Sequence, residues 1–228
     1  MRHVNHIEYH RGEAQRRELW ELLDAAADPA VLSAADAALV EPYVFSQMSL
    51  YFNPSGPSED GFWHKDLVKA APIHEWEDRR DTQRGIVAHV QIALVDSEDL
   101  EVVPGSHCRD FTPAEWEICK DYPGGANIRS NNMPNAYRAV LQPGDACVFN
   151  SITIHRGRYH TDKLRRTLMF DYVKERYAKK RLADQGGLDQ YSDQPWFLHR
   201  EYLSGAAPDT QDFFQRRCAR AQPPPIQF

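Results

Sequence analysis

The sequence predicts a mainly antiparallel β domain flanked by helices, and three observations carry that expectation. Good helix formers fill the first forty or so residues. From Tyr43 short alternating apolar runs take over, broken by Pro, Gly, Asn and Asp. No helical crossover separates one run from the next, which fits a sandwich or jelly roll better than a parallel α/β sheet.

Taken in order, residues 12–27 (GEAQRRELWELLDAAA) place Leu19, Leu22 and Leu23 at helical spacing, and VLSAADAALV (31–40) reads as a second short helix. The strand candidates are YVFSQMSLYF (43–52), GIVAHVQIAL (85–94), LEVV (100–103), AVLQ (139–142), ACVFNSITIH (146–155) and RTLMFDYV (166–173). Between Cys108 and Arg138 lies a long connection with a short helix at PAEWEICK and then a Gly/Asn-rich stretch. Connections of that length in a compact domain are usually lids or binding loops. VKERYAKKRLAD (173–184) reads as helical and AQPPPIQF (221–228) as a loosely held tail. The expected organisation is a single domain over 1–228. It comprises an N-terminal helical part (1–42), a β core (43–173) carrying the 108–138 lid, and a C-terminal helical extension (174–228).

A chain of 228 residues suits one domain with a substantial core, and 42% hydrophobic with 26% charged residues is an ordinary soluble composition. A formal charge of −6 without a long Lys/Arg run argues against general nucleic-acid binding. No uncharged apolar run approaches the roughly 20 residues of a membrane span, and the N-terminus lacks a signal-like apolar stretch. The expected location is therefore the cytoplasm. A small molecule is the expected partner, with neither nucleic acid nor membrane, and a homodimer is compatible with the chain. Cys108, Cys119, Cys147 and Cys218 form no C-x-x-C pair and are expected to be reduced thiols, with Cys147 in a core strand.

The segment GFWHKDL (61–67) sets His64 and Asp66 two residues apart, on one face of an extended strand, where both reach a single ion. The spacing alone is weak, because His160/Asp162 repeats it and His6/Glu8 and His199/Glu201 give the glutamate version. A facial metal site needs a second histidine, and His155 supplies it. Ser151, Thr153 and His155 are expected to share a face of the 146–155 strand. Eleven residues on, Arg166 opens the next strand, where a guanidinium suits a dicarboxylate clamped by paired hydrogen bonds. Arg165 competes for that role, since strand alternation admits only one of the two.

In order, H-x-D, LEVVPGSH (100–107), GDACVFNSITIHRG (144–157) and RRTLMFDYV (165–173) resemble the phytanoyl-CoA dioxygenase family of iron(II)- and 2-oxoglutarate-dependent oxygenases, from about Gln47 to Tyr172. The resemblance implies a double-stranded β-helix of the jelly-roll, cupin-like kind. His64, Asp66 and His155 would be its iron ligands and Arg166 the partner of the distal 2-oxoglutarate carboxylate. Gln91, Thr153 or Ser151, and Tyr51 would be further cosubstrate contacts, with O2 as the other cosubstrate. Two departures stand out: Glu98-Asp99 where Asn-Gly is frequent, and Gln91 where an aromatic is frequent.

The implied reaction is oxidation of a small metabolite or natural-product intermediate at carbon, with release of succinate and carbon dioxide. Related halogenases replace the carboxylate by a small residue, so Asp66 argues for hydroxylation, desaturation or ring closure. Gln47, Trp63, Lys65, Arg129, Asn131 and Asn132 are the candidate substrate contacts. Trp63 is equally readable as core, and His89 as pocket lining or as a buried core histidine. His107 is read as structural. The alternatives are a cupin-like metal isomerase, epimerase or lyase, and a non-catalytic binding barrel.

Overall fold

The computed structural model describes residues 3–5, 16–53, 56–66, 85–178 and 203–216. Within them the strands are β1 (His3–Asn5), β2 (Tyr43–Phe52), β3 (Glu59–Asp60), β4 (Val87–Ala93), β5 (Ser97–Val102), β6 (Tyr137–Leu141), β7 (Ala146–Asn150), β8 (His155–Tyr159) and β9 (Arg166–Lys174). They form a large sheet in the order β1-β2-β9-β4-β7 and a smaller one in the order β3-β8-β5-β6, and every pair is antiparallel. The chain changes sheet after β2, β3, β4, β6, β7 and β8, the crossing pattern of a jelly roll. Leu100, Val102 and Ala139 of the small sheet pack against Phe149 and Cys147 of the large one, so the two inner faces meet at that end.

Side-chain alternation sorts the large sheet into a dry outer face and a mixed inner face. Outward, Met48, Ala88, Val90, Leu168, Phe170 and Tyr172 lie under α1 (Arg16–Ala26), α2 (Pro29–Leu39) and α4 (Pro208–Arg216). Inward, Ser49 pairs with Met169 and Tyr51 with Thr167, while His89, Gln91 and Ala93 lie opposite Asp171, Met169 and Thr167. Phe45 faces the same helices despite its odd number, because the register shifts by one between Phe45 and Gln47. Such a bulge reverses the parity of the residues beyond it.

Local chemistry sets the helix starts. Asp28 caps α2 by accepting from the Ala30 amide at 2.8 Å, with Pro29 at the first helical position, so the helix begins two residues before the expected Val31. Thr112 and Glu115 form a reciprocal capping box on α3 (Pro113–Cys119), within the expected PAEWEICK.

The expected continuous strand 146–155 is divided. Ile152 donates to Asn150 Oδ1 at 3.3 Å and Thr153 donates to the Asn150 carbonyl at 2.8 Å, closing a turn that sends β8 into the other sheet. Ser151, Thr153 and His155 therefore do not share a strand face. Residues 175–178 are helical, as read from the sequence. Residues 12–15, 179–184 and 221–228 lie outside the described residues, as does Cys218.

The C-terminal helix is fastened by polar and aromatic contacts. Thr210 donates to Asp24 at 2.6 Å, and Phe214 meets Phe45 edge-on at 5.1 Å between centroids. Phe214 is fully buried. Phe214→Ala should cost about 3–5 kcal/mol of unfolding free energy, read as a lowered denaturant midpoint with an unchanged slope; a change under about 1 kcal/mol would show that α4 does not seal the sheet.

Candidate metal centre

Residues 61–66 continue the line of β3 along β8. Gly61 donates to the Gly157 carbonyl at 2.7 Å, His64 and His155 exchange main-chain bonds of 3.1 and 2.9 Å, and Asp66 donates to the Ser151 carbonyl at 2.9 Å. The approach is close enough to require glycine: a Cβ on Gly61 would lie 2.4 Å from the Gly157 oxygen.

This pairing brings His64, Asp66 and His155 together, with one donor atom from each lying within 4.8 Å of the others. Both rings are oriented from behind. His64 Nδ1 donates to the Phe62 carbonyl at 2.7 Å and His155 Nδ1 to the Thr153 carbonyl at 2.8 Å, which leaves each Nε2 as the inward lone pair. His64 Nε2 lies 3.2 Å and His155 Nε2 4.0 Å from Asp66 Oδ1. Two imidazole nitrogens and one carboxylate oxygen, with tautomers already fixed, are a donor set that fits a first-row divalent ion.

The electrostatics agree with that arrangement. Burial favours the neutral carboxylic acid of Asp66, but hydrogen bonds from His89 and, when its Nε2 is protonated in the absence of metal, from His64 outweigh it and hold the group well below the usual range. Burial likewise opposes the charged form of His64, yet Asp66 raises it overall. His155 is pulled down to about 3 by burial and by the neighbouring His64, which keeps its Nε2 unprotonated. Burial of His89 is overcome by Asp171 and Asp66, which raise it to about 10.

Other expected site residues divide between the two sides of the same strands. Gln47, Tyr51 and Gln91 face the interior. Gln47 donates to Asp171 at 2.5 Å, and Gln91 Nε2 is buried without a hydrogen-bond partner. Thr153 is buried in the turn and acts through its carbonyl on His155. Arg166 is a correction: it is exposed and bonded to Asn53 and its own neighbour's carbonyl, while Arg165 is buried. The physical reason is parity. Thr167, Met169 and Asp171 face inward, so 165 shares their side and 166 cannot. Arg165 lies between the rings of Tyr51 and Tyr159, at 5.1 and 4.6 Å, and donates to the Arg158 carbonyl at 2.7 Å.

Trp63 and Lys65 are corrections of the same kind, since they alternate with His64 and Asp66 and point away from the ligands. Trp63 packs with Val103, Ile118, Met133 and Ile154. Lys65 donates to the carbonyls of Ser106 and Arg109 at 2.6 and 2.9 Å, and burial depresses it to about 8. Arg129 is paired with Glu59 at 2.6 Å, and Asn131 accepts from Arg156 at 2.5 Å, so both are committed to holding the loop. Asn132 is exposed. The expected lid is fastened rather than loose: Trp63 Nε1 donates to Ser130, and Arg156 donates to the carbonyls of Arg129 and Ser130. Its Tyr122 stacks on His64 at 5.1 Å.

His160 bonds Asp60 instead of joining the cluster, and His6/Glu8 and His199/Glu201 lie outside the described residues. Asp171 and Tyr122 escaped sequence reasoning. Asp171 had a signal, an acid on the same strand face as Met169.

A jelly-roll barrel carrying a convergent His-x-Asp and distal His defines the class of double-stranded β-helix proteins built around a mononuclear metal site. The profile of the phytanoyl-CoA dioxygenase (PhyH) family matches residues 4–167, and the chain belongs to that family. It is 27% identical over 129 residues to the dioxygenase cnsJ of Penicillium expansum, covering 54% of this chain and 34% of that protein, so it spans about a third of that relative's length. The structure of HygX from Streptomyces hygroscopicus with nickel and 2-oxoglutarate bound shares the fold. It is 13% identical, covers 76% of this chain and 69% of that one, and has a TM-score of 0.52. The non-heme monooxygenase ThoJ is 22% identical over 67% of this chain and 55% of its own, with a TM-score of 0.48. Among the described residues no helix is long and apolar enough to cross a membrane.

His64→Ala or His155→Ala should weaken Ni(II) or Co(II) binding by about tenfold or more in calorimetry, while His160→Ala leaves it intact. Because His64 is raised above its usual 6.5, protons should compete with the ion already above that pH, so affinity should fall as pH falls through neutrality. Unchanged affinity in His64→Ala would remove it from the ligand set.

Proposed function

We propose that this chain is an iron(II)- and 2-oxoglutarate-dependent oxygenase that hydroxylates or otherwise oxidises a C–H bond of a small metabolite or natural-product intermediate. The observation that carries this reading is the conjunction of the His64/Asp66/His155 donor set with a buried inward arginine. A metal-dependent isomerase or lyase on the same barrel that works without 2-oxoglutarate has no need of such a cation.

His64, Asp66 and His155 would hold ferrous iron, which would supply the redox chemistry that couples oxidative decarboxylation of 2-oxoglutarate by O2, to succinate and carbon dioxide, to oxidation of the substrate. Arg165, in place of the expected Arg166, is the partner for the far carboxylate. Its Nε has no hydrogen bond, with Asp99 at 3.7 Å, and on the same inner face Thr167 Oγ1 and Gln91 Nε2 also lack partners. Buried polar groups left without partners cost about 1–3 kcal/mol each, so three on one face support a polar ligand there. Tyr51 and Tyr159 hold the guanidinium from its two sides, and the apolar Phe149, Leu100 and Val102 keep water from the adjoining interior. Tyr122, stacked on His64, flanks the metal side where substrate enters.

Two measurements test the reading. Purified protein should release succinate from 2-oxoglutarate only with Fe(II) and O2, and failure to do so under any substrate screened would count against it. On Ni(II)-loaded protein, Arg165→Ala should weaken 2-oxoglutarate binding by about 2–5 kcal/mol, about thirtyfold or more, whereas Arg166→Ala should stay within about twofold. The reverse order would return the role to Arg166.

A further inference from the structure

The two oxygens of Asp66 have different partners. Oδ1 faces His64 Nε2 at 3.2 Å and His155 Nε2 at 4.0 Å, whereas Oδ2 is 2.8 Å from His89 Nε2. Behind His89, its Nδ1 lies 2.5 Å from Asp171 Oδ1, and Asp171 Oδ2 accepts from Gln47 Nε2 at 2.5 Å. The series Gln47–Asp171–His89–Asp66 thus runs from β2 through β9 and β4 to the metal-binding loop. Both middle members are 5% exposed at the side chain.

Resting on the assignment of His64, Asp66 and His155 as metal ligands, we infer that His89 is a positioning residue that occupies Asp66 Oδ2 and restricts Asp66 to binding metal through Oδ1 alone. A carboxylate binds a divalent ion through one oxygen or both. To turn Oδ2 onto the ion, Asp66 must give up a buried charge-assisted bond and leave the His89 N–H without an acceptor, a penalty of about 1–3 kcal/mol or more. Asp171 fixes the ring from its other nitrogen, and Gln47 fixes Asp171, so His89 cannot follow Asp66 by rotating. Packing alone does not explain this choice of residue. The His89 ring lies 5.1 Å from the Phe149 ring, a contact that a phenylalanine would also make, but both of its nitrogens face carboxylates. The consequence concerns the chelating end of the cosubstrate: an Asp66 held to one oxygen leaves the ion a position that a two-oxygen Asp66 would fill.

The test uses the whole chain loaded with Ni(II) or Co(II) in His89→Phe, His89→Gln and Asp171→Asn, with melting temperature recorded for each. In His89→Phe, Ni(II) affinity should change by less than about threefold, because the second Asp66 oxygen compensates. Meanwhile 2-oxoglutarate affinity should fall about tenfold or more, the usual scale for losing a partner behind a metal ligand, and the Co(II) visible spectrum should shift. His89→Gln keeps an N–H toward Asp66 and should restore both readouts toward wild type. Asp171→Asn keeps the volume and an acceptor for His89, and should show the same split to a smaller degree; it remains informative if the Phe variant does not fold. Unchanged 2-oxoglutarate affinity and Co(II) spectrum in both His89→Phe and Asp171→Asn would overturn the inference. So would parallel loss of metal, cosubstrate and melting temperature in His89→Phe and His89→Gln alike, which marks a purely structural histidine. Wild-type protein that takes up neither ion would overturn the metal assignment itself.

Discussion

A short antiparallel ladder between residues 61–66 and β8 holds the site together: Gly61 to Gly157, then His64 and His155 bonded to each other in both directions. Two histidines of the candidate metal centre, about ninety positions apart in the chain, thereby become cross-strand neighbours, their ring centroids 4.3 Å apart. Each ring also donates to the carbonyl two residues before it, so ring orientation follows from backbone geometry. Little further ordering is left for a metal to impose, which is how a protein lowers the entropic cost of binding one.

Alternation gives the same ladder a second function. The residues that alternate with the ligands, Trp63 and Lys65, and Arg156 next to His155, point outward and grip the 106–133 region. Arg156 is buried, a costly position for a cation, yet every group of its fork is used: Glu101 on Nε, two carbonyls on Nη1, Asn131 on Nη2, and the Trp63 ring at 4.5 Å beneath it. One face of the ladder therefore presents donors to the metal while the other anchors the loop that brings Tyr122 onto His64. A shift of the loop cannot occur without strain on the ligand strand.

The inner face of the large sheet is the opposite of an optimised core. It carries Gln47, Ser49, Tyr51, His89, Gln91, Arg165, Thr167 and Asp171 where apolar side chains would be more stabilising. Some of these are neutralised in the Gln47–Asp171–His89–Asp66 series, and three buried atoms, Gln91 Nε2, Arg165 Nε and Thr167 Oγ1, make no hydrogen bond. Local concessions of this kind are expected where a barrel holds a ligand instead of packing upon itself. The outer face, where Phe45 and Tyr172 of the sheet meet Phe213 and Phe214 of α4, supplies the compensating apolar burial.

The sequence by itself determined the class of fold and the candidate trio His64, Asp66 and His155 that the structure brings together. Alternating apolar runs specify strands whatever their partners, and the H-x-D pair followed by a histidine beyond a Gly-Asp turn carries its chemistry in residue type and order. It also determined that only one of Arg165 and Arg166 faces inward, because the side-chain period of a strand is two. Which one was decided by tertiary structure. The bond from the Arg165 amide to Asn53 at 3.0 Å and the pairing of Thr167 with Tyr51 set the register, and neither is local in sequence. The same holds for Trp63, Lys65 and Arg129, whose chemistry suits a pocket but whose strand faces and ion-pair partners place them behind it. His89 carried no sequence signal separating a core histidine from one that bridges two carboxylates, since its partners Asp66 and Asp171 meet it only when two strands and a loop are folded together.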